Sequence, residues 1–151
     1  MRTDPERIVI CSGFAGGLAL LARVLKASGA RRAAVESYGL APHRDLFTAA
    51  GLRTLPLPVD EYGARTDELS AAPDVRAALL TPAHQYPTGV TLHPDRRAVV
   101  IDWARTTTGI VLEDDYDGEF RYDRQPVDPT PLQFEKAAGQ RHDRAPAMRH
   151  G

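Results

Sequence analysis

From Arg7 to Asp114, short apolar runs alternate with stretches of helical period, and only brief connections separate them. Few chain topologies satisfy that alternation. Arg7 to Ser12 (RIVICS) reads as a strand that Ser12-Gly13 ends. Phe14 to Ser28 reads as a helix, with Leu18, Leu21, Ala22 and Leu25 at helical spacing and Gly29 as its stop. Ala33 to Glu36 is a short strand, and Pro42 to Ala50 a helix with Gly51 as its C-terminal signal. Arg53 to Val59 alternates Leu55, Leu57 and Val59 as a strand does, and Asp60 to Gly63 is a turn. Thr66 to Ala72 holds a short helix, and Arg76 to Thr81 a fourth strand. Pro94 to Thr108 is a helix with Pro94 in its first turn, Val99 and Trp103 on one face, and Gly109 as its stop. Ile110 to Asp114 is the fifth strand. Strands and helices in this order predict an α/β fold of three layers. A mostly parallel sheet carries helices on both faces and is joined by right-handed crossovers. In open sheets of that kind ligands bind at the carboxyl ends of the strands.

The chain has 151 residues, enough for one domain with a real core, and a net charge of −1 that favours neither nucleic acid nor acidic surfaces. A single cysteine, Cys11, excludes an internal disulfide and fits a reducing compartment. No segment approaches the apolar length of a membrane span, and MRTDPERIV is not a signal peptide, so a cytoplasmic location is expected. Only two lysines occur, Lys26 and Lys136. From Arg121 the periodicity decays. The expected division is a folded unit over residues 1–127 and an irregular or disordered tail over 128–151.

Three stretches offer chemistry. The turn Ser12-Gly13-Phe14-Ala15-Gly16 joins a strand to a helix N-terminus, where free N–H groups and the helix dipole favour an anion. An ordinary tight turn has the same composition, and the pattern is neither a Walker loop nor G-x-G-x-x-G. The loop Thr81-Pro82-Ala83-His84-Gln85-Tyr86-Pro87-Thr88-Gly89 is stiffened by two prolines and presents His84, Gln85, Tyr86 and Thr88 after a buried strand. In IVLEDDYDGEFRY, Glu113, Asp114, Asp115, Asp117 and Glu119 follow a buried strand, with Tyr116 among them. The acids admit three readings: a cation site, a solvated acidic turn, or one buried acid, Asp114, paired with a cationic ligand nitrogen beside Tyr116.

The strings TPAHQYPTGVTL and VLEDDYDGEFRYDRQP, with the small-residue turn near the start, resemble the aminotransferase-like domain of MocR-type regulators. These are GntR-family transcription factors that fuse a DNA-binding winged helix to a fold-type I, pyridoxal-phosphate domain. The resemblance implies an incomplete large domain of that fold, covering Arg7 to about Val127. It implies that Ser12, Gly13, Phe14, Ala15 and Gly16 cradle the cofactor phosphate. Asp114 then pairs with the pyridinium nitrogen, and Tyr116 bonds the phenolic oxygen. Tyr86 stands where ordinary aminotransferases carry the asparagine of Asn-Pro-Thr-Gly. Glu36-Ser37-Tyr38-Gly39-Leu40 stands where the family often has Glu-Asp-Pro-Gly-Tyr, so Leu40 or Tyr38 is the residue that covers the ring.

The same resemblance places a winged helix before this domain and a Schiff-base lysine some tens of residues after the acidic motif. Neither pattern is found, and Lys136, in Phe134-Glu135-Lys136-Ala137, reads as a solvated lysine. The expectation is therefore a truncated cofactor-binding domain of a MocR-like regulator that holds pyridoxal 5′-phosphate without a covalent bond. It has no catalytic residue and no metal. Its partner is the cofactor or an amino-compound effector, it makes no direct contact with DNA or membrane, and its full-length relatives are homodimeric. Two alternatives stand beside it: an aminotransferase fragment active only when a partner supplies the lysine, and a metal- or anion-binding module built on the acidic loop.

Overall fold

A computed structural model describes residues 5–116. After a single 3-10 turn at Pro5–Arg7, helix α1 spans Gly13–Ala27, strand β1 Arg32–Glu36, helix α2 Ala41–Ala49 and strand β2 Arg53–Leu57. A small hairpin of β3 (Val59–Asp60) and β4 (Gly63–Ala64) leads to a 3-10 helix at Thr66–Ala71. Strand β5 (Val75–Leu80), helix α3 (Pro94–Thr107) and strand β6 (Ile110–Glu113) complete the described unit. The main sheet has the order β2-β1-β5-β6, with every neighbouring pair parallel.

Period-two alternation divides the core into two layers. Ala33, Val35, Ala77 and Leu79 point to one face, where Leu18, Ala22 and Leu25 of α1 and Phe47 of α2 cover them. Ala34, Ala78, Leu80 and Val111 point to the other, under Val100 and Trp103 of α3 and Leu69 of the 3-10 helix. The central strands are rich in alanine, and all four of these alanines are fully buried. Small strand residues leave room for the large helix side chains, so that the layers interdigitate. α1 and α2 end alike: Gly29 and Gly51 take positive φ, and the next N–H turns back, Ala30 to Leu25 and Leu52 to Phe47.

The chain departs from its sequence-based description in five places. Residues 8–10 form no strand, and Ile8, Val9 and Ile10 are 58%, 80% and 95% exposed. A strand needs a partner for its backbone groups, and among the described residues none lies beside this run. The predicted strand from Arg53 to Val59 splits at Pro58, which has no N–H to give the ladder, and Val59 passes to the hairpin. The short helix expected from Thr66 to Ala72 is present as a 3-10 helix that ends at Ala71. On α3 it is Val100, not Val99, that shares the buried face with Trp103.

The fifth departure concerns the end of α3. Thr108, at φ 55°, takes the left-handed position that Gly109 was expected to fill. Gly109 has another role: a Cβ there would lie 2.6 Å from the edge of the buried Trp103 ring. Gly109→Ala is therefore expected to destabilise the fold by about 1–3 kcal/mol, since the Trp103 ring or the start of β6 must shift to admit the methyl group. Urea denaturation gives the value, and an unchanged midpoint would contradict the packing argument. The expected boundary near residue 127, the tail beyond it, and Asp117, Glu119 and Lys136 lie outside the described residues.

Candidate functional site

The carboxyl ends of β1, β5 and β6 lie side by side and open into one cleft. Its lining includes Glu36, Leu40, His43, Thr81, Tyr86, Asp114 and Tyr116. The topology brings these residues together. Parallel strands end on the same edge, and each is followed by a loop on that edge.

Faces alternate as β6 runs out, and this sorts the consecutive acids. Glu113 turns toward α3 and pairs with Arg97 at 3.2 Å. Asp114 turns toward α2, and its amide continues the ladder by donating to the Leu80 carbonyl (2.9 Å). Its side chain is 11% exposed. Among the described residues, His43 Nδ1 is the basic group within 4 Å of it, at 3.9 Å, too far for a hydrogen bond. Burial holds the Asp114 carboxyl above its ordinary range; His43 opposes that shift and Asp115 adds to it. Asp115 is exposed.

The turn at Ser12 flanks this cleft. Ser12 is the N-cap of α1, and its side chain makes no capping hydrogen bond. The first turn of α1 carries no acid, so the positive end of the helix dipole is not offset by a side chain there. The Phe14 ring packs against His43 with centroids 4.9 Å apart. Phe14, His43 and Asp114 thus form a chain of contacts from the helix terminus to the buried acid.

The loop after β5 is folded on itself. Gln85, 1% exposed, donates to the Tyr86 carbonyl and accepts from the Thr88 hydroxyl (2.6 Å) and amide (3.3 Å). The Tyr86–Pro87 peptide is cis. Glu36, 5% exposed, accepts from the Thr81 amide (3.1 Å) and hydroxyl, and the Gln85 side chain stands close to it. Burial raises the Glu36 pKa more than these hydrogen bonds lower it. Across the cleft, the His84 and Tyr116 rings are nearly parallel at 6.1 Å, with Tyr116 Oη 3.5 Å from His84 Nδ1.

Of the residues singled out in the sequence, Leu40, Tyr86, Asp114 and Tyr116 line the cleft. Ser12, Gly13, Phe14, Ala15 and Gly16 stand beside it and reach it through the Phe14–His43 contact. Tyr38 is 56% exposed and outside the lining, so Leu40 is the one of the pair placed at the cleft. Gln85, expected to be presented by its loop, is buried inside it. The sequence reading missed His43, Arg44 and Thr81 as lining groups. His43 sits within an ordinary helical pattern, and no local motif marks it. Among the described residues, no three His, Cys, Asp or Glu side chains converge to hold a metal ion.

No family model matches the chain. Individual proteins do. The chain is 37% identical over 129 residues to the HTH-type pyridoxine biosynthesis transcriptional regulator PdxR of Corynebacterium glutamicum, covering 85% of this chain and 28% of PdxR. It is 28% identical over 123 residues to the probable rhizopine catabolism regulatory protein MocR of Rhizobium meliloti, covering 82% and 24%. The chain matches the aminotransferase-like domain of MocR-type, GntR-family regulators. It spans about a quarter of the length of these MocR-type relatives. The fold is that of the fold-type I aminotransferases. The crystal structure of an archaeal alanine:glyoxylate aminotransferase superposes with a TM-score of 0.67 at 29% identity, over 76% of this chain and 30% of that one. The kynurenine aminotransferase of Pyrococcus horikoshii, at 24% identity and a TM-score of 0.61, shares the fold. Among the described residues, no helix is long and apolar enough to cross a membrane.

Proposed function

We propose that the cleft docks pyridoxal 5′-phosphate without a covalent bond, as part of the ligand-sensing unit of a MocR-type regulator. The observation that carries this reading is Asp114. A carboxylate only 11% exposed, facing the cleft with, among the described residues, no hydrogen-bond donor nearer than His43 at 3.9 Å, fits a cationic N–H donor entering from the cleft. Tyr116 stands beside it to donate to a phenolic oxygen, and Leu40 and Tyr86 supply walls for a flat ring. The uncapped N-terminus at Ser12 to Gly16 offers N–H groups to a phosphate. When bound, the cofactor supplies an electron-withdrawing ring. The residues here bind and orient it and hold its ring nitrogen protonated.

The described residues place no amine at the cleft. Their one lysine, Lys26, is near the far end of α1 and donates to the Gly51 carbonyl at 2.8 Å. No catalytic residue is assigned for that reason. The reading assigns the chain a small-molecule partner, an amino compound or the cofactor itself, in the cytoplasm where such regulators act, and no direct DNA contact.

Equilibrium dialysis tests the docking. Saturable binding of pyridoxal 5′-phosphate is expected, with pyridoxal lacking the phosphate weaker by about tenfold or more, the scale of one lost charge-assisted contact set. Equal uptake of the two compounds, or none, would refute the reading. Borohydride reduction with cofactor present is expected to leave Lys26 and Lys136 unmodified by mass spectrometry. A stoichiometric pyridoxyl adduct on either would show that the chain provides an amine.

A further inference from the structure

We propose that Glu36 is a positioning residue: its buried carboxylate clamps the loop from Thr81 to Val90 against the sheet edge and so sets the cleft wall that carries Tyr86. A carboxylate accepts only, and Glu36 meets the Thr81 amide and hydroxyl at the end of β5, with the side chain of Gln85, within the loop, close beside it. Gln85 in turn is held by its own loop. Its amide nitrogen donates to the Tyr86 carbonyl, and its oxygen accepts twice from Thr88. Backbone bonds from Gln85 to Val90 and from Gly89 to Gln85 close the loop on itself. They do not attach it to β1, and the Glu36 carboxylate does. Both Glu36 oxygens and both ends of the Gln85 amide are engaged, and a buried polar cluster held in that way favours one geometry. Tyr86 follows Gln85 directly in the chain and lines the cleft. The clamp rests on the docking reading only where it treats that wall as part of a ligand site.

Amide hydrogen exchange on the whole chain tests the clamp without ligand. Glu36→Gln sets an NH2 group among N–H donors. The amides of Thr81, Thr88 and Gly89 are expected to exchange at least about tenfold faster, while Val35, Ala78 and Leu79 stay within about twofold. Gln85→Met removes the tie from the loop side, leaves the sheet intact and is expected to free the amides of Thr88 and Gly89. The swap Glu36→Gln with Gln85→Glu restores a donor–acceptor pair and is expected to return loop protection to within about threefold of the parent. Loop amides that keep their protection, or a loss spread evenly through the sheet with no rescue by the swap, would overturn the proposal. If Glu36→Gln fails to fold, retained loop protection in Gln85→Met overturns it. Pyridoxal 5′-phosphate affinity should fall about tenfold in both single variants. A loosened loop with parental affinity would also overturn the positioning role. If the parent itself binds no cofactor, the docking reading fails, and exchange with the swap alone decides the clamp.

Discussion

Asp114→Asn is expected to weaken pyridoxal 5′-phosphate docking by about tenfold to a hundredfold while making the ligand-free protein more stable at neutral pH. Both effects come from one buried carboxylate. Replacing it with an amide removes the charge that a ring N–H would meet, which accounts for the affinity loss. In the ligand-free state that charge is a cost. Burial raises the folded-state pKa of Asp114 above its ordinary 3.8, and the His43 contact only partly opposes this. An acid with a raised folded pKa contributes full stability below its unfolded pKa and loses it as pH rises through the folded value. Glu36 carries the same sign. Asparagine does not titrate, so the advantage of the variant should be present at pH 7 and fade as pH falls toward 3.8. Asp115→Asn alters an exposed side chain and should weaken docking less than Asp114→Asn. Thermal melts at several pH values, run beside dialysis, check the pair. Equal affinity losses for the two asparagine variants, or a less stable Asp114→Asn at neutral pH, would remove Asp114 from its assigned place.

Phe47→Ala is expected to cost about 3–5 kcal/mol, a large share of a domain's whole stability. Phe47 is fully buried in the layer between α1, α2 and the sheet. It also lies one helical turn after His43, on the same face of α2. Its loss should therefore disturb the Phe14–His43–Asp114 chain as well as the core, and docking should fall with stability. Leu46→Ala, at a partly buried neighbour on the same helix, serves as the comparison and should cost clearly less. Urea unfolding with matched slopes gives both values. A cost under about 1 kcal/mol for Phe47→Ala would mean that the layer closes over the gap, against the usual behaviour of aromatic core positions.

The two stretches that the sequence marks most strongly, TPAHQYPTG and LEDDY, do meet in space, because each follows a strand and parallel strands end on one edge. Their internal arrangement was less legible. The polar residues of the first loop look alike in sequence. In the fold, Gln85 goes inward, where its amide meets the Tyr86 carbonyl and two Thr88 groups, and Tyr86 lines the cleft. The run at Ile8 to Ile10 has strand composition and forms no strand among the described residues, since composition supplies propensity but not a neighbour.

The sequence by itself determined the class of fold, the order of the elements and which strand ends carry chemistry, because period and turn residues act over a few positions of chain. The tertiary structure alone decided the strand order β2-β1-β5-β6 and the assembly of Glu36 with Thr81 and Gln85. It also set His43, rather than any residue near it in sequence, beside Asp114. Those contacts join residues 45 and 71 positions apart along the chain. Such contacts depend on how two helices pack over a sheet, and no local pattern of residues encodes that packing.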